Sequence, residues 1–184
     1  MLVADEISSI FPDDLLEQSA DEAEDRRWWV LYTRSRQEKA LTQRLEAFGV
    51  PFYLPLIDKT ALCRGREIRS RVPLFANYVF LFGTHEERVR ALETNRISRT
   101  IEVEDENRLR FDLRQIRQLI STKVPLTLES RLCEGQRVRV RNGLLAGLEG
   151  TVLTRHSKTR LLVSTNFIGQ GASVAIEDFR LERI

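Results

Sequence analysis

The carboxy-terminal part of the chain most narrowly limits the folds open to it. Over about fifty residues, Val138 and Val140 alternate with Arg137, Arg139 and Arg141 in GQRVRVR, and GTVLTR, RLLVST, ASVAI and FRLERI follow at short intervals. Each run is bounded by glycine or polar residues, which predicts short strands joined by turns. With no helical stretch among them, such strands bury their apolar sides by closing on one another as a small barrel.

Ahead of that segment the pattern changes. WWVLYT, from Trp28, is a dense aromatic and β-branched run and predicts a central strand. Ser35 and Glu38 have capping-box spacing, and Leu41, Leu45 and Phe48 mark one face of a helix stopped by Gly49 and Pro51. PFYLPLI reads as an extended element, and CRGREIRSR around Gly65 as a hairpin tip or mobile loop. NYVFLF is a buried strand, and Thr84 with Glu87 repeats the capping box before a helix that ends near Asn95. A strand at RTIEV, a turn over Glu104 to Asn107, a short LRF strand and a helix capped by Asp112 and Gln115 complete the segment. This order predicts an α+β domain over residues 26–123, a mixed sheet with packed helices. VPLTLESRL, residues 124–132, is the linker, and residues 133–184 are the barrel.

Charge is distributed unevenly. Residues 1–25 hold nine Asp or Glu and no Lys or Arg, a net of −9, which leaves 18 acids against 29 bases in the rest, a net of +11. The basic body favours a polyanion, nucleic acid above all, as partner. The acidic leader reads as a disordered tail, or as a short helix from Asp13 through Leu16, and a tail so charged is expected to compete with DNA for the body's cations. No run approaches the roughly 20 apolar residues of a membrane span, which predicts a cytoplasmic protein with no membrane partner. Cys63 and Cys133 stand apart and read as buried or incidental thiols.

Enzyme chemistry has no foothold. Neither a GxxxxGKS/T loop nor GxGxxG occurs, and neither His85 nor His156 stands beside a recognisable nucleophile. Glu102, Glu104, Asp105 and Glu106 imitate a metal site, but an acidic turn between strands is the commoner meaning. No cofactor and no catalytic residue are predicted.

VRVRNGLLAGLEGTV, with Val138, Val140, Gly143, Gly147 and Gly150, resembles the KOW motif of an SH3-like barrel, whose glycines permit a tight positive-φ loop. WWVLYTRSRQEKA and PLFANYVFL resemble the amino-terminal (NGN) domain of the NusG family. NGN, linker and one KOW barrel is that family's bacterial architecture. The family commonly has Pro-Gly before the tyrosine, where this chain has Ala76 and Asn77. With the acidic leader and the basic TRSRQEK turn, these departures look like a specialised paralogue.

The resemblance implies a monomeric transcription elongation or antitermination factor whose NGN face docks on the clamp helices of RNA polymerase. Phe75 and Tyr78 match aromatic positions of that face, with Trp29 and Tyr53 bordering it; the alternative for all four is the core. Arg34, Arg36, Gln37 and Lys39 stand at a helix amino terminus, where cations oppose the helix dipole unless an anion is bound; the resemblance offers the non-template DNA strand, and the alternative is a solvated basic face. Arg64, Arg66, Arg69 and Arg71 lie on a loop towards nucleic acid or on a merely soluble hairpin. Phe167 and Ile168 fall where the family's KOW domain meets a ribosomal small-subunit protein or Rho, or they plug the barrel. A ribosome- or RNA-binding KOW protein is the competing function.

Overall fold

The structure, a computed structural model, describes residues 7–17, 25–129, 135–155, 158–176 and 181–184. The chain divides into two compact units, Met1–Glu106 and Asn107–Ile184. In the first, the strands are β1 (Ile10–Phe11), β2 (Arg27–Thr33), β3 (Phe52–Tyr53), β4 (Leu56–Cys63), β5 (Arg66–Pro73), β6 (Tyr78–Gly83) and β7 (Ile97–Glu102), with helices α1 (Glu38–Ala47) and α2 (His85–Leu92). Five strands form a sheet in the order β1-β3-β6-β2-β7, and β4 and β5 form a separate ribbon. Every neighbouring pair in the sheet is antiparallel, where the sequence predicts a mixed one.

The WWVLYT run lands in the interior of the sheet, and its alternation assigns the two faces. Trp29 and Leu31 join Phe52, Val79 and Leu81 in a cluster with Leu41 and Leu45 of α1 and Ala91 of α2. Trp28, Val30 and Tyr32 point the other way, opposite Phe82, Phe80 and Tyr78 across β6, while Tyr53 is opposite Phe80 across β3. Side chains directly opposite on antiparallel strands share a face, so Tyr53 and Tyr78 lie with Trp28.

The capping box on α2 forms as predicted: the Thr84 hydroxyl accepts from the Glu87 N–H at 3.2 Å and the Glu87 carboxylate accepts from the Thr84 N–H at 2.9 Å. The box predicted at Ser35 does not form. Helix α1 starts with Gln37 at its cap and no side-chain cap bond, and the Glu38 carboxylate instead accepts the Asn77 N–H at 2.7 Å.

The disordered leader predicted over residues 1–25 needs correction across 7–17. Ile10 and Phe11 pair with Tyr53 and Phe52, Leu54 N–H donates to the Ser9 carbonyl at 2.6 Å, and Leu15 and Leu16 are 1% and 0% exposed. Turns, not a helix, carry Pro12 to Glu17. Apolar residues too scattered for a periodic pattern find a sheet edge instead. Residues 1–6 and 18–24 lie outside the described residues.

The second unit holds most of α3 (Glu106–Ser121), then β8 (Thr127–Glu129), β9 (Arg137–Val140), β10 (Glu149–Arg155), β11 (Lys158–Thr165), β12 (Gln170–Ala175) and β13 (Leu181–Arg183). The predicted LRF strand is helix: Leu109, Leu113, Ile116 and Leu119 are buried at helical spacing, and Asp112 sits inside α3 instead of capping it. The five expected strands are present in an antiparallel sheet ordered β13-β9-β10-β11-β12-β8. The sixth, β8, comes from the predicted linker, where the buried Glu129 carboxylate accepts the Ser173 hydroxyl at 2.8 Å.

The three loop glycines serve two different needs. Gly143 and Gly147 have φ of 89° and 86°, as the turn requires. Gly150 answers to crowding, because a Cβ there would lie 2.3 Å from the Leu162 carbonyl oxygen.

Candidate nucleic-acid and polymerase interface

At one end of the first sheet, Tyr32 and Tyr78 meet edge to face, ring centroids 5.2 Å apart at 75°. Arg99, opposite Tyr32 on β7, places its guanidinium 4.9 Å from the Tyr32 ring centroid. Both tyrosines are half-buried, so each offers part of a ring to solvent. From this corner the chain turns into α1 through Arg34 and Arg36, both exposed, the latter at a φ of 60°. Arg34 N–H donates to the Arg96 carbonyl at 2.8 Å, and the Arg96 guanidinium donates to Gln37 Oε1. Lys39 is half-buried one residue inside the helix.

Beyond Arg96 the cationic surface continues along an open cleft of about 450 Å³ between α1 and α2, lined by Arg44, Phe48, Arg90, Glu93, Thr94 and Arg96. The Arg90 guanidinium lies 4.1 Å from the Phe48 ring centroid. Arginines interleaved with half-exposed rings are the chemistry of single-stranded nucleic acid, guanidinium to phosphate and ring to base. Sequence reading missed Tyr32, Arg44, Phe48, Arg90, Arg96 and Arg99. Phe48 looked like one more residue of the apolar stripe, and Arg96 and Arg99 carry no local motif that joins them to α1.

The other predicted residues are dispersed. Phe75 is 0% exposed, and Tyr53 and Trp29 are buried at 3% and 8%, so of the aromatic positions carried over from the family only Tyr78 is half-exposed. Trp29 does not border them: it lies on the α1/α2 side, donates its indole N–H to the Gly83 carbonyl at 3.4 Å, and is flanked by Arg88 and Arg27 at 4.8 and 5.9 Å. Arg64, Arg66, Arg69 and Arg71 are exposed on the β4/β5 ribbon, away from any cluster with α1; Arg71 donates to the Ile7 carbonyl at 3.4 Å, and Arg69 is 3.8 Å from Glu67. Cys63, read as buried or incidental, is exposed beside the ribbon's turn, and Cys133 lies outside the described residues. The acidic turn is occupied by structure: Glu102 pairs with Arg27 at 2.7 Å and Glu106 accepts the Trp28 N–H at 3.3 Å.

In the second unit, Phe167 and Ile168 are half-buried in a 3-10 turn, Asn166–Ile168. Three α3 side chains hold this end of the sheet. Asp112 accepts the Asn166 N–H at 2.9 Å, Gln115 accepts the Glu149 N–H at 2.7 Å, and Gln118 donates to the Ala146 carbonyl at 2.8 Å. Burial raises the Asp112 carboxyl above its ordinary value, opposed by the Asn166 amide and by Arg108 at 3.0 Å.

A domain of this make-up has a recognised counterpart: the NusG family model, described as transcription termination factor nusG, matches residues 26–120. The chain belongs to the NusG family. NusG factors are non-enzymatic and generally bind RNA polymerase. No curated protein matches the chain. The match begins at Arg26, so the residues seated on the β3 edge lie ahead of the NusG domain. Among the described residues no three His, Cys, Asp or Glu side chains are placed to hold a metal, and no helix is long and apolar enough to cross a membrane.

Proposed function

We propose that this NusG-family chain is a transcription elongation or antitermination factor that rides on RNA polymerase and holds the exposed non-template DNA strand. The Tyr78 end of the first sheet's aromatic side, the part of that side open to solvent, docks on the clamp helices of the polymerase largest subunit. Arg34, Arg36, Gln37 and Lys39, extended by Arg96, Arg90 and Arg44, take the strand's phosphates, while Tyr32 and Phe48 stack on its bases. Held in this way, the strand is withheld from the rearrangements that accompany pausing. The second unit acts as a KOW domain and recruits a further protein through Phe167 and Ile168, a ribosomal small-subunit protein or Rho in this reading.

The observation that carries the proposal is the unbroken run from Arg99 and the Tyr32–Tyr78 pair through Arg34 and Arg96 to Arg90 and Phe48 on a NusG domain. Co-purification tests it. The tagged chain retains core RNA polymerase and suppresses pausing on a template with an exposed non-template strand. Recovery with ribosomal subunits and no polymerase would favour the ribosome- or RNA-binding function instead.

A further inference from the structure

Residues 7–17 lie ahead of the NusG match, yet they are part of the fold. Three bonds tie them down at their start: the Ser9 carbonyl accepts the Leu54 N–H at 2.6 Å, the Ser8 hydroxyl donates to Glu46 of α1 at 2.8 Å, and the Ile7 carbonyl accepts from Arg71 at 3.4 Å. Ile10 then stands opposite Tyr53, and Phe11 opposite Phe52. Because paired residues share a face, Phe11 falls on the α1/α2 side, where its ring stacks with Phe52 at 6.4 Å. Ile10 falls on the opposite side with Tyr53, in the row that includes Phe80 and Tyr78. Leu15 and Leu16 are fully buried.

We propose that residues 7–17 are a strap that covers the β3 end of the aromatic sheet side, with Ile10, Leu15 and Leu16 as its anchors, and that polymerase displaces it on binding. The proposal rests on the polymerase reading of that face. It sets Ile10 directly opposite Tyr53, an aromatic position that the family resemblance places beside the polymerase face. Only two residues of the strap pair in the sheet, and a strand so short at an edge belongs to the part of a fold that opens locally at low free-energy cost.

A strap that is seated most of the time lowers the apparent affinity of the face in proportion to the open fraction. A strap closed about 90 to 99% of the time weakens polymerase binding about 10- to 100-fold. Charging both anchors, Leu15→Asp with Leu16→Asp in the full chain, therefore tightens binding to core RNA polymerase by about tenfold or more. The unaltered chain supplies a second readout independent of any substitution. The Leu54 amide, protected by Ser9, exchanges its hydrogen faster when polymerase is added. Unchanged affinity in the folded variant, or a Leu54 amide that stays protected in the polymerase complex, overturns the strap while leaving the polymerase reading intact. If neither the variant nor the parent chain binds polymerase, the polymerase reading itself has failed and the strap's competitive role falls with it.

Discussion

The backbone N–H of Asn77 donates to the Glu38 carboxylate at 2.7 Å, tying the first residue of α1 to the turn before β6. Asn77 has a φ of 67°, and its carbonyl accepts the Thr33 N–H at 2.8 Å, so one residue braces the end of β2, the start of β6 and the helix. The basic turn and Tyr78 are thereby held in register. Glu38→Ala leaves a partly buried amide without its partner and costs about 1–3 kcal/mol, whereas Glu38→Gln keeps an acceptor and costs less. Urea unfolding followed by tryptophan fluorescence measures both, since Trp28 and Trp29 lie in the same sheet.

The cationic band is tested through its salt dependence. Removing one cation that neutralises a phosphate lowers the slope of log K against log salt by about 0.7 for a single strand. Neutralising Arg34, Arg36 and Lys39 together flattens the slope for single-stranded DNA and removes the effect on pausing. Arg96→Ala does likewise, although it lies 60 residues along from Arg36. A slope equal to that of the parent chain marks these cations as solvent-facing only.

Much of this site is legible in the amino-acid sequence, and the limits are physical. Alternation across WWVLYT places Trp28 and Trp29 on opposite faces, but which face carries Tyr53 and Tyr78 depends on strand register, which no local pattern sets. The α2 capping box is self-contained within four residues and forms as its spacing predicts. The α1 box fails because Glu38 is bound by Asn77, a partner 39 residues away. Leu109, Arg110 and Phe111 alternate over three positions like a strand, and only the longer interval to Leu119 shows the helix. Strand β8 and the seated leader are each two or three residues long, stabilised by edges built elsewhere in the chain.

Asp112 gives the second unit a pH dependence of definite sign. Its carboxyl is raised above the ordinary 3.8 chiefly by burial, so the folded chain holds that proton more tightly than the unfolded chain. Stability from this group therefore falls as pH rises from the unfolded value through the raised folded one. Asp112→Asn removes that fall while retaining an oxygen for the Asn166 N–H. Unfolding midpoints of parent and variant, compared between about pH 3 and pH 8, show the difference.

Phe75 and Tyr78 separate core from interface. Phe75 is fully buried, so Phe75→Ala reads out as lost stability, about 3–5 kcal/mol for a buried phenylalanine. Tyr78 is half-buried at the end of its row, and Tyr78→Ala in a folded chain weakens polymerase binding by about 2 kcal/mol, as an interface anchor does.

Site-specific photo-crosslinking from position 78 examines the central claim at the residue that carries it. Full-length chains bearing a crosslinking phenylalanine derivative at Tyr78 or at the exposed Val89 of α2 are incubated with core RNA polymerase and irradiated. Docking by the aromatic side of the sheet predicts attachment to the clamp helices of the largest subunit from position 78 and none from position 89. Absence of a crosslink from position 78, or equal attachment from both positions, would contradict it.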